Sequence, residues 1–420
     1  MAKYAGSGHQ DPSTCLEGTR TTALDDIDEW KCDSEMLDAG EGSEEYRDRD
    51  REMDILWLTG TAGSGKTAIA QTVYERFRAE GLLVVQTSFF RSMGCTHPKY
   101  LPLSIAYQLA VANSSLKISI EAVVQADPAV VDASFDVQLQ RLVVGPLLDI
   151  ASRGRVPRVY VIVDGLDECG VEDDQIRIIR LIQGIVMDSD RHQHRRLPIR
   201  FLIASRPESW IQTTLLLSSA PIPAPAVFTV MLNQNNEANR DIQLFYETEF
   251  AKIRNDPRHV YSMTSISGPW PWPSEADIIQ LVLWASGQFV YAKTIVRFVG
   301  ALGYSPICRL DGVLRSHSHS HSDYGSGSTK SKLISPLNTL DALYTHILSS
   351  AVDWDVTRSV LGALGAFSSS LVKREAVSVV EVLLGLNVGD GYVALRNLHP
   401  VVYVPDDLLF EREREGEGEG

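Results

Sequence analysis

Cysteine is scarce in this chain. The five cysteines in 420 residues, Cys15, Cys32, Cys95, Cys169 and Cys308, are scattered and include no Cys-x-x-Cys pair. That pattern excludes a disulfide framework or zinc knuckle and fits a reducing compartment. The N-terminus, MAKYAGSGHQDPSTC, lacks the apolar core of a signal peptide, so a cytoplasmic protein is expected. A long uninterrupted hydrophobic run is missing too. The uncharged stretch from Ser209 to Asn236 carries Pro221, Pro223 and Pro225, and such spacing forbids a continuous membrane helix. It reads instead as a loop followed by a buried strand. Excess positive charge is also absent: 39 Lys+Arg stand against 54 Asp+Glu, a net of −15, so nothing favours nucleic acid as a partner.

The negative charge is concentrated. Residues 33–54 hold ten acids against three arginines, and 411–420 hold five against two, so these stretches account for −10 of the −15. The first reads as a solvated linker or an acidic docking segment. A chain of this length predicts two to three domains with an ordinary core.

The stretch ILWLTGTAGSGKTAIAQT, from Ile55 to Thr72, organises the rest. Ile55 to Leu58 read as a buried strand. Gly60, Thr61, Ala62, Gly63, Ser64 and Gly65 form a loop, and Lys66, Thr67 and Ala68 open a helix. This is G-x-x-x-x-G-K-[ST] in its strand–loop–helix setting. The glycines let backbone N–H groups converge on one phosphate, and the helix N-terminus adds its positive end. Lys66 is placed to reach the β/γ-phosphates and the Thr67 hydroxyl to complete a magnesium site. The alternative is a glycine-rich turn that binds nothing.

Strand and helix then alternate. Strands are expected at 55–59, 82–90, 159–163, 199–204 and 227–232, with helices at 19–30, 68–80, 101–112, 135–152 and 175–187. Continuous apolar strands between helices predict an α/β fold, a parallel five-stranded sheet covered on both faces, with ligands at the carboxyl ends of the strands. The third strand ends in Asp164, a carboxylate that magnesium would satisfy; a plain polar turn is the other reading. Asp167 and Glu168 either orient an attacking water or cap the next helix. The fourth strand ends at Arg206, which either senses the terminal phosphate or pairs at the surface with Glu208. Beyond Asn233 helices are expected at 241–253, 276–300, 340–352, 357–367 and 375–386, with a short apolar segment at 401–404.

Taken together, GTAGSGKT, VYVIVDGLDE and FLIASRPES resemble the NACHT class of signal-transduction (STAND) NTPases, NOD-like receptor type. They are similar in particular to the branch of fungal receptor-like proteins with a nephrocystin-like arrangement. The lead-in Cys15 to Arg20 followed by Trp30, and Ser286 to Ala292, resemble the same branch. The resemblance implies ATP or ADP bound among a sheet domain, a helical domain and a winged-helix domain, with exchange opening the molecule for self-association or association with related NACHT proteins. It assigns Lys66 and Thr67 to phosphate and magnesium, Asp164 to magnesium, Asp167 and Glu168 to the acids of the signature, and Arg206 to sensing. Relatives often carry an adenine-resting proline where Phe289 stands here.

The expected division is a lead-in and acidic linker (1–52), the NACHT P-loop NTPase domain (53–235), a helical domain (236–310), a disordered linker (311–335), a partial winged-helix domain (336–408) and a charged tail (409–420). Relatives continue into a repeat array and many begin with an effector domain; neither is legible here, so a truncated chain is expected. The leading expectation is a nucleotide-dependent switch with slow ATP hydrolysis, implicated by resemblance in innate immunity. Its rivals are a non-catalytic nucleotide-binding scaffold, or truncated regulator of full-length relatives, and a small-molecule P-loop kinase. Four further signals weigh little. His317, His319 and His321 lie in a Ser/Gly tract, and the basic run Arg191 to Arg196 lacks interleaved aromatics. Trp270 to Pro273 reads either as a partner-binding tetrad or as packing, and Cys169 has no nearby histidine to activate it.

Overall fold

Five short apolar runs supply the strands: β1 (Ile55–Gly60), β2 (Leu83–Ser88), β3 (Val159–Asp164), β4 (Ile199–Ser205) and β5 (Val227–Leu232). They pair in parallel in the order β2-β3-β4-β1-β5, as the alternation of strand and helix predicts. This computed structural model describes residues 14–32, 53–91, 95–153, 158–188, 197–216, 226–232, 236–259, 263, 272–319, 341, 344–345, 348, 353–367, 376–395 and 398. The chain divides into two compact units after Asn233.

In the first unit, successive strand residues point to opposite faces. Ile55, Trp57, Val161, Val163, Phe201 and Ile203 enter one apolar core. Leu56, Leu58, Tyr160, Ile162, Leu202 and Ala204 enter the other. The second face is closed by α1 (Thr21–Cys32) and α2 (Lys66–Ala79), through Leu24, Ile27, Trp30, Ile69, Val73 and Phe77. Residues of α3 (Tyr100–Ala112), α4 (Ser114–Ala126), α5 (Phe135–Leu139), α6 (Gly145–Arg153), α7 (Glu172–Asp188) and α8 (Ser209–Leu216) join the first core. Each fully buried Leu, Ile or Phe contributes about 1.5–3 kcal/mol, several times what an exposed ion pair adds. Two-sided burial therefore fixes β1, β3 and β4, whereas the edge strand β5, expected from the sequence to be buried, leaves Thr229 and Met231 exposed because no strand lies beyond it.

Several elements differ from the sequence expectation. The helix α1 is part of the sheet unit rather than of a separate lead-in. Ser209–Leu216 is the helix α8 where a loop is expected, because Ile211 and Leu215, four residues apart, both bury. The helix α4 is unanticipated; Asn113 caps it by accepting from the Ser115 and Leu116 N–H groups. The helix expected at 135–152 is broken by a π-helical turn at Gln140–Val144. There the Gly145 N–H donates to the Gln140 carbonyl, and Pro146, which has no N–H, continues the chain.

The second unit is helical among its described residues: α9 (Asn236–Asn255), α10 (Glu275–Ala285), α11 (Phe289–Val299), α12 (Pro306–His319), α13 (Trp354–Phe367), α14 (Ala376–Leu384) and α15 (Asp390–Leu395). Ile242, Tyr246, Phe250, Leu281, Tyr291, Ile295, Val360, Val380 and Leu395 share one core. The single helix expected at 276–300 is two, because Ser286 and Gly287 take left-handed backbone conformations (φ 47° and 77°). The helix α12 runs to His319, into the stretch expected as a disordered linker. Of the tetrad 270–273, Trp272 packs edge-on against Phe250 in this unit's core, and 270–271 lie outside the described residues. The acidic stretch 33–52, the basic run 191–196, His321, the segment 401–404 and the tail 409–420 lie outside the described residues. Among the described residues no helix is long and apolar enough to cross a membrane.

Candidate functional site

The strand order sets the geometry of the site. Because β4 lies between β1 and β3, the residue after β4 stands between the phosphate-type loop and Asp164. All three strands run the same way, so Gly60, Asp164 and Ser205 end at one sheet edge. There the sheet's ladder gives way to loops, the edge at which parallel sheets of this kind meet their ligands.

The loop from Gly60 to Gly65 turns on two left-handed glycines, Gly63 (φ 73°) and Gly65 (φ 95°). A side chain on Gly60 would meet Ser64 Oγ at 2.8 Å, so close approach requires glycine there. The Lys66 ammonium folds back over the loop, donating to the Gly60 and Thr61 carbonyls at 2.7 and 2.9 Å. Burial lowers its pKa, while the Asp167 carboxylate nearby pulls it up again. Thr67 Oγ1 donates to Asp164 Oδ1 at 3.3 Å. Loop, helix start and strand end thus join in one cluster.

Asp164 is 1% exposed. Burial pushes its carboxyl up to about 6, against the Thr67 hydroxyl and the Lys66 ammonium, which favour the ionised form. Its Oδ2 and the Ser64 Oγ are buried and meet no hydrogen-bond partner among the described residues. A buried, orphaned carboxylate oxygen is costly, and hard oxygens from Asp164 and Thr67 are the donors magnesium takes. After Asp164 the chain turns at Gly165 (φ 72°), where a Cβ would meet the Phe89 carbonyl at 2.6 Å.

Asp167 and Glu168 lie in a 3-10 turn, Leu166–Glu168, ahead of α7 and do not cap that helix. Asp167 is engaged by Arg206 twice: the Arg206 N–H donates to Oδ1 at 3.0 Å and Nε pairs with Oδ2 at 3.2 Å. The partner of Arg206 is therefore Asp167 rather than Glu208. Glu168 Oε2 accepts the Arg91 N–H at 2.9 Å, and the Arg91 guanidinium donates to the Asp167 carbonyl at 3.2 Å. Gln175 Nε2 donates to the Asp167 and Cys169 carbonyls and is itself held by the Trp210 indole. Cys169 is buried and its thiol is pushed up to about 12, which leaves it unreactive at neutral pH.

Sequence reasoning gave no site role to Arg91, Gln175 or Arg20, although Arg20 ends the lead-in motif that it singled out. The last is buried, and its Nη2 donates to the Ser64 carbonyl at 2.6 Å. The available signal was Gly18, which permits the tight turn (φ 81°) that swings Arg20 inward.

The sheet order, the glycine-rich loop and the placement of Lys66, Thr67 and Asp164 define the chain as a P-loop NTPase, a nucleotide-binding protein. The family described as nephrocystin 3, N-terminal, matches residues 24–206, the span from α1 to Arg206. No curated protein matches the chain. Among solved structures, a Walker-type ATPase of Pyrococcus abyssi is similar with a TM-score of 0.43 at 13% identity, covering 93% of this chain and 92% of that one. The ORC2 protein of Aeropyrum pernix, in ADPNP and ADP complexes, is similar with a TM-score of 0.37 at 13% identity, covering 93% and 88%. Likenesses of that size carry no functional argument.

Proposed function

We propose that this chain is an ATP- and ADP-binding switch of the NACHT signal-transduction class, using magnesium, with slow hydrolysis and readout by domain rearrangement and self-association in the cytoplasm. One observation carries the reading: Lys66, Thr67, Asp164 and Arg206 gather at one sheet edge, and Asp164 brings a buried oxygen that meets no hydrogen-bond donor among the described residues. The family match over residues 24–206 and the three sheet motifs support it.

In this reading the loop N–H groups and Lys66 bind the β- and γ-phosphates, the ammonium leaving the Gly60 and Thr61 carbonyls to do so. Thr67 and Asp164 hold magnesium, which when bound neutralises phosphate charge. Arg206 exchanges Asp167 for the terminal phosphate, so ATP and ADP leave that pair in different arrangements. A nucleotide shifts a conformational equilibrium only through such a difference.

Calorimetry tests this. Lys66→Ala is expected to abolish both ATP and ADP binding; retained affinity removes the reading. Arg206→Ala is expected to leave ADP binding near normal and weaken ATP by roughly ten- to a hundredfold, the worth of a charge-assisted hydrogen bond. Equal loss of both nucleotides would count against the sensing role.

A second reading, a non-catalytic nucleotide-binding scaffold, is favoured by the engagement of Asp167. Both of its oxygens are held by Arg206, and Glu168 Oε2 by the Arg91 N–H, which occupies the acids a water would need. The scaffold predicts the same phosphate release from ATP in the wild type, Asp167→Asn and Glu168→Gln. The switch predicts a measurable fall in each variant.

A further inference from the structure

The segment before the sheet, residues 14–32, bears on the phosphate loop directly. The Thr19 N–H and hydroxyl both donate to the Leu16 carbonyl, which closes a turn through Gly18. That turn delivers Arg20, itself in the left-handed region (φ 57°), into the interior with 6% of its surface exposed. A non-glycine residue there is strained, and strain persists only where surrounding contacts impose it. One contact that holds it there is the bond from Arg20 Nη2 to the Ser64 carbonyl at 2.6 Å. The segment is held in register by the Cys15 N–H, which donates to Thr72 Oγ1 of α2 at 2.9 Å, and by Leu24, Ile27 and Trp30 in the core that α2 also enters.

The Ser64 carbonyl belongs to the same planar peptide as the Gly65 N–H. Gly65 is left-handed with open space where a Cβ would stand, so no side chain of its own helps to fix that plane, and its carbonyl is tied to the helix start by the Ile69 N–H. The Arg20 guanidinium holds the plane from the Ser64 carbonyl side. In a trans peptide the N–H points opposite to the carbonyl, so the bond that holds the Ser64 oxygen also sets the direction of the Gly65 N–H and polarises it as a donor.

We propose that Arg20 is a positioning residue of the phosphate loop, fixing the Ser64–Gly65 peptide so that the loop's phosphate affinity depends on the segment preceding the sheet. This rests on the nucleotide reading of the loop. Arg20 acts on the loop from behind and touches no phosphate. Both ATP and ADP present a β-phosphate to the same N–H groups, so both feel it alike.

Two measurements on the full chain test it, with Arg20→Met removing the donor, Arg20→Lys keeping a cation, and Leu24→Ala as a packing control in the same segment. In nucleotide-free protein, amide exchange across Gly63 to Ile69 is expected to quicken in Arg20→Met, to return toward the wild-type rate in Arg20→Lys, and to stay unchanged in β3. By calorimetry, Arg20→Met is expected to weaken ADP and ATP together by about tenfold or more, with Arg20→Lys recovering most of that loss. Wild-type exchange and affinity in Arg20→Met would overturn the inference and leave the nucleotide reading standing. So would an equal loss in Leu24→Ala at the same drop in melting temperature, since the effect would then be stability alone. A wild-type chain that binds neither nucleotide overturns both.

Discussion

At the scale of single residues, Asp164 is costly to fold because its carboxylate is buried. Its carboxyl is raised from the ordinary range near 4 to about 6 by burial. Between those values the folded chain binds more protons than the unfolded one, so stability falls as pH rises from 4 to 6 and stays low above. The size is about 3 kcal/mol. Asn in place of Asp carries no charge to bury and can still accept from Thr67. Urea unfolding in EDTA is therefore expected to show Asp164→Asn gaining on the wild type by about 3 kcal/mol over that interval. A pH-independent difference between the two would mean that the carboxylate is better solvated than its 1% exposure indicates. Lys66, Thr67 and Asp164 were legible in the sequence because glycine spacing and a carboxylate ending an apolar strand are local patterns. The Arg206–Asp167 pair was not, since it joins residues 39 positions apart and depends on β4 lying beside β3.

At the scale of elements, α1 is bound to the sheet by more than apolar area. The Trp30 indole donates to the Met53 carbonyl, and the Trp30 carbonyl accepts from Arg200, a 2%-exposed guanidinium on β4 that also pairs with Asp54 at 3.5 Å. Trp30 also sets its ring edge-on to Tyr160, which does the same to Phe77. Trp30→Ala removes a buried indole and is expected to destabilise the first unit by about 3–5 kcal/mol, read from denaturant midpoints with a probe in that unit. A loss under 1 kcal/mol would show that α1 is peripheral. Periodicity found α1 through Leu24, Ile27 and Trp30, yet gave no hint that it closes one face of the sheet. Burial of an apolar stripe is written in the sequence; the surface that receives it is not. The same limit explains α8, where four uncharged polar residues and nearby prolines masked the Ile211 and Leu215 pair.

At the scale of the whole molecule, the sheet was readable in number and direction of strands, because continuous apolar runs separated by helices have few other solutions. The helical unit was readable only as a set of helices. A break such as Ser286-Gly287 lacks the proline that would announce it, and 3.6-residue periodicity passes through two residues unnoticed. If the switch reading holds, sedimentation with ATP and magnesium is expected to show a larger species than with ADP, and Lys66→Ala is expected to abolish the difference. One size in both nucleotides would favour the scaffold. The central strand β4 limits how any such change begins. All seven of its residues are buried, and it is hydrogen-bonded to β1 on one side and β3 on the other. It carries Arg200 near its start and Arg206 just past its end, about 20 Å apart by strand rise. Such a rod has nowhere to slide. In the switch reading, movement that starts with a lost phosphate therefore leaves through the swing of the Arg206 side chain, with the strand itself as the fixed pivot.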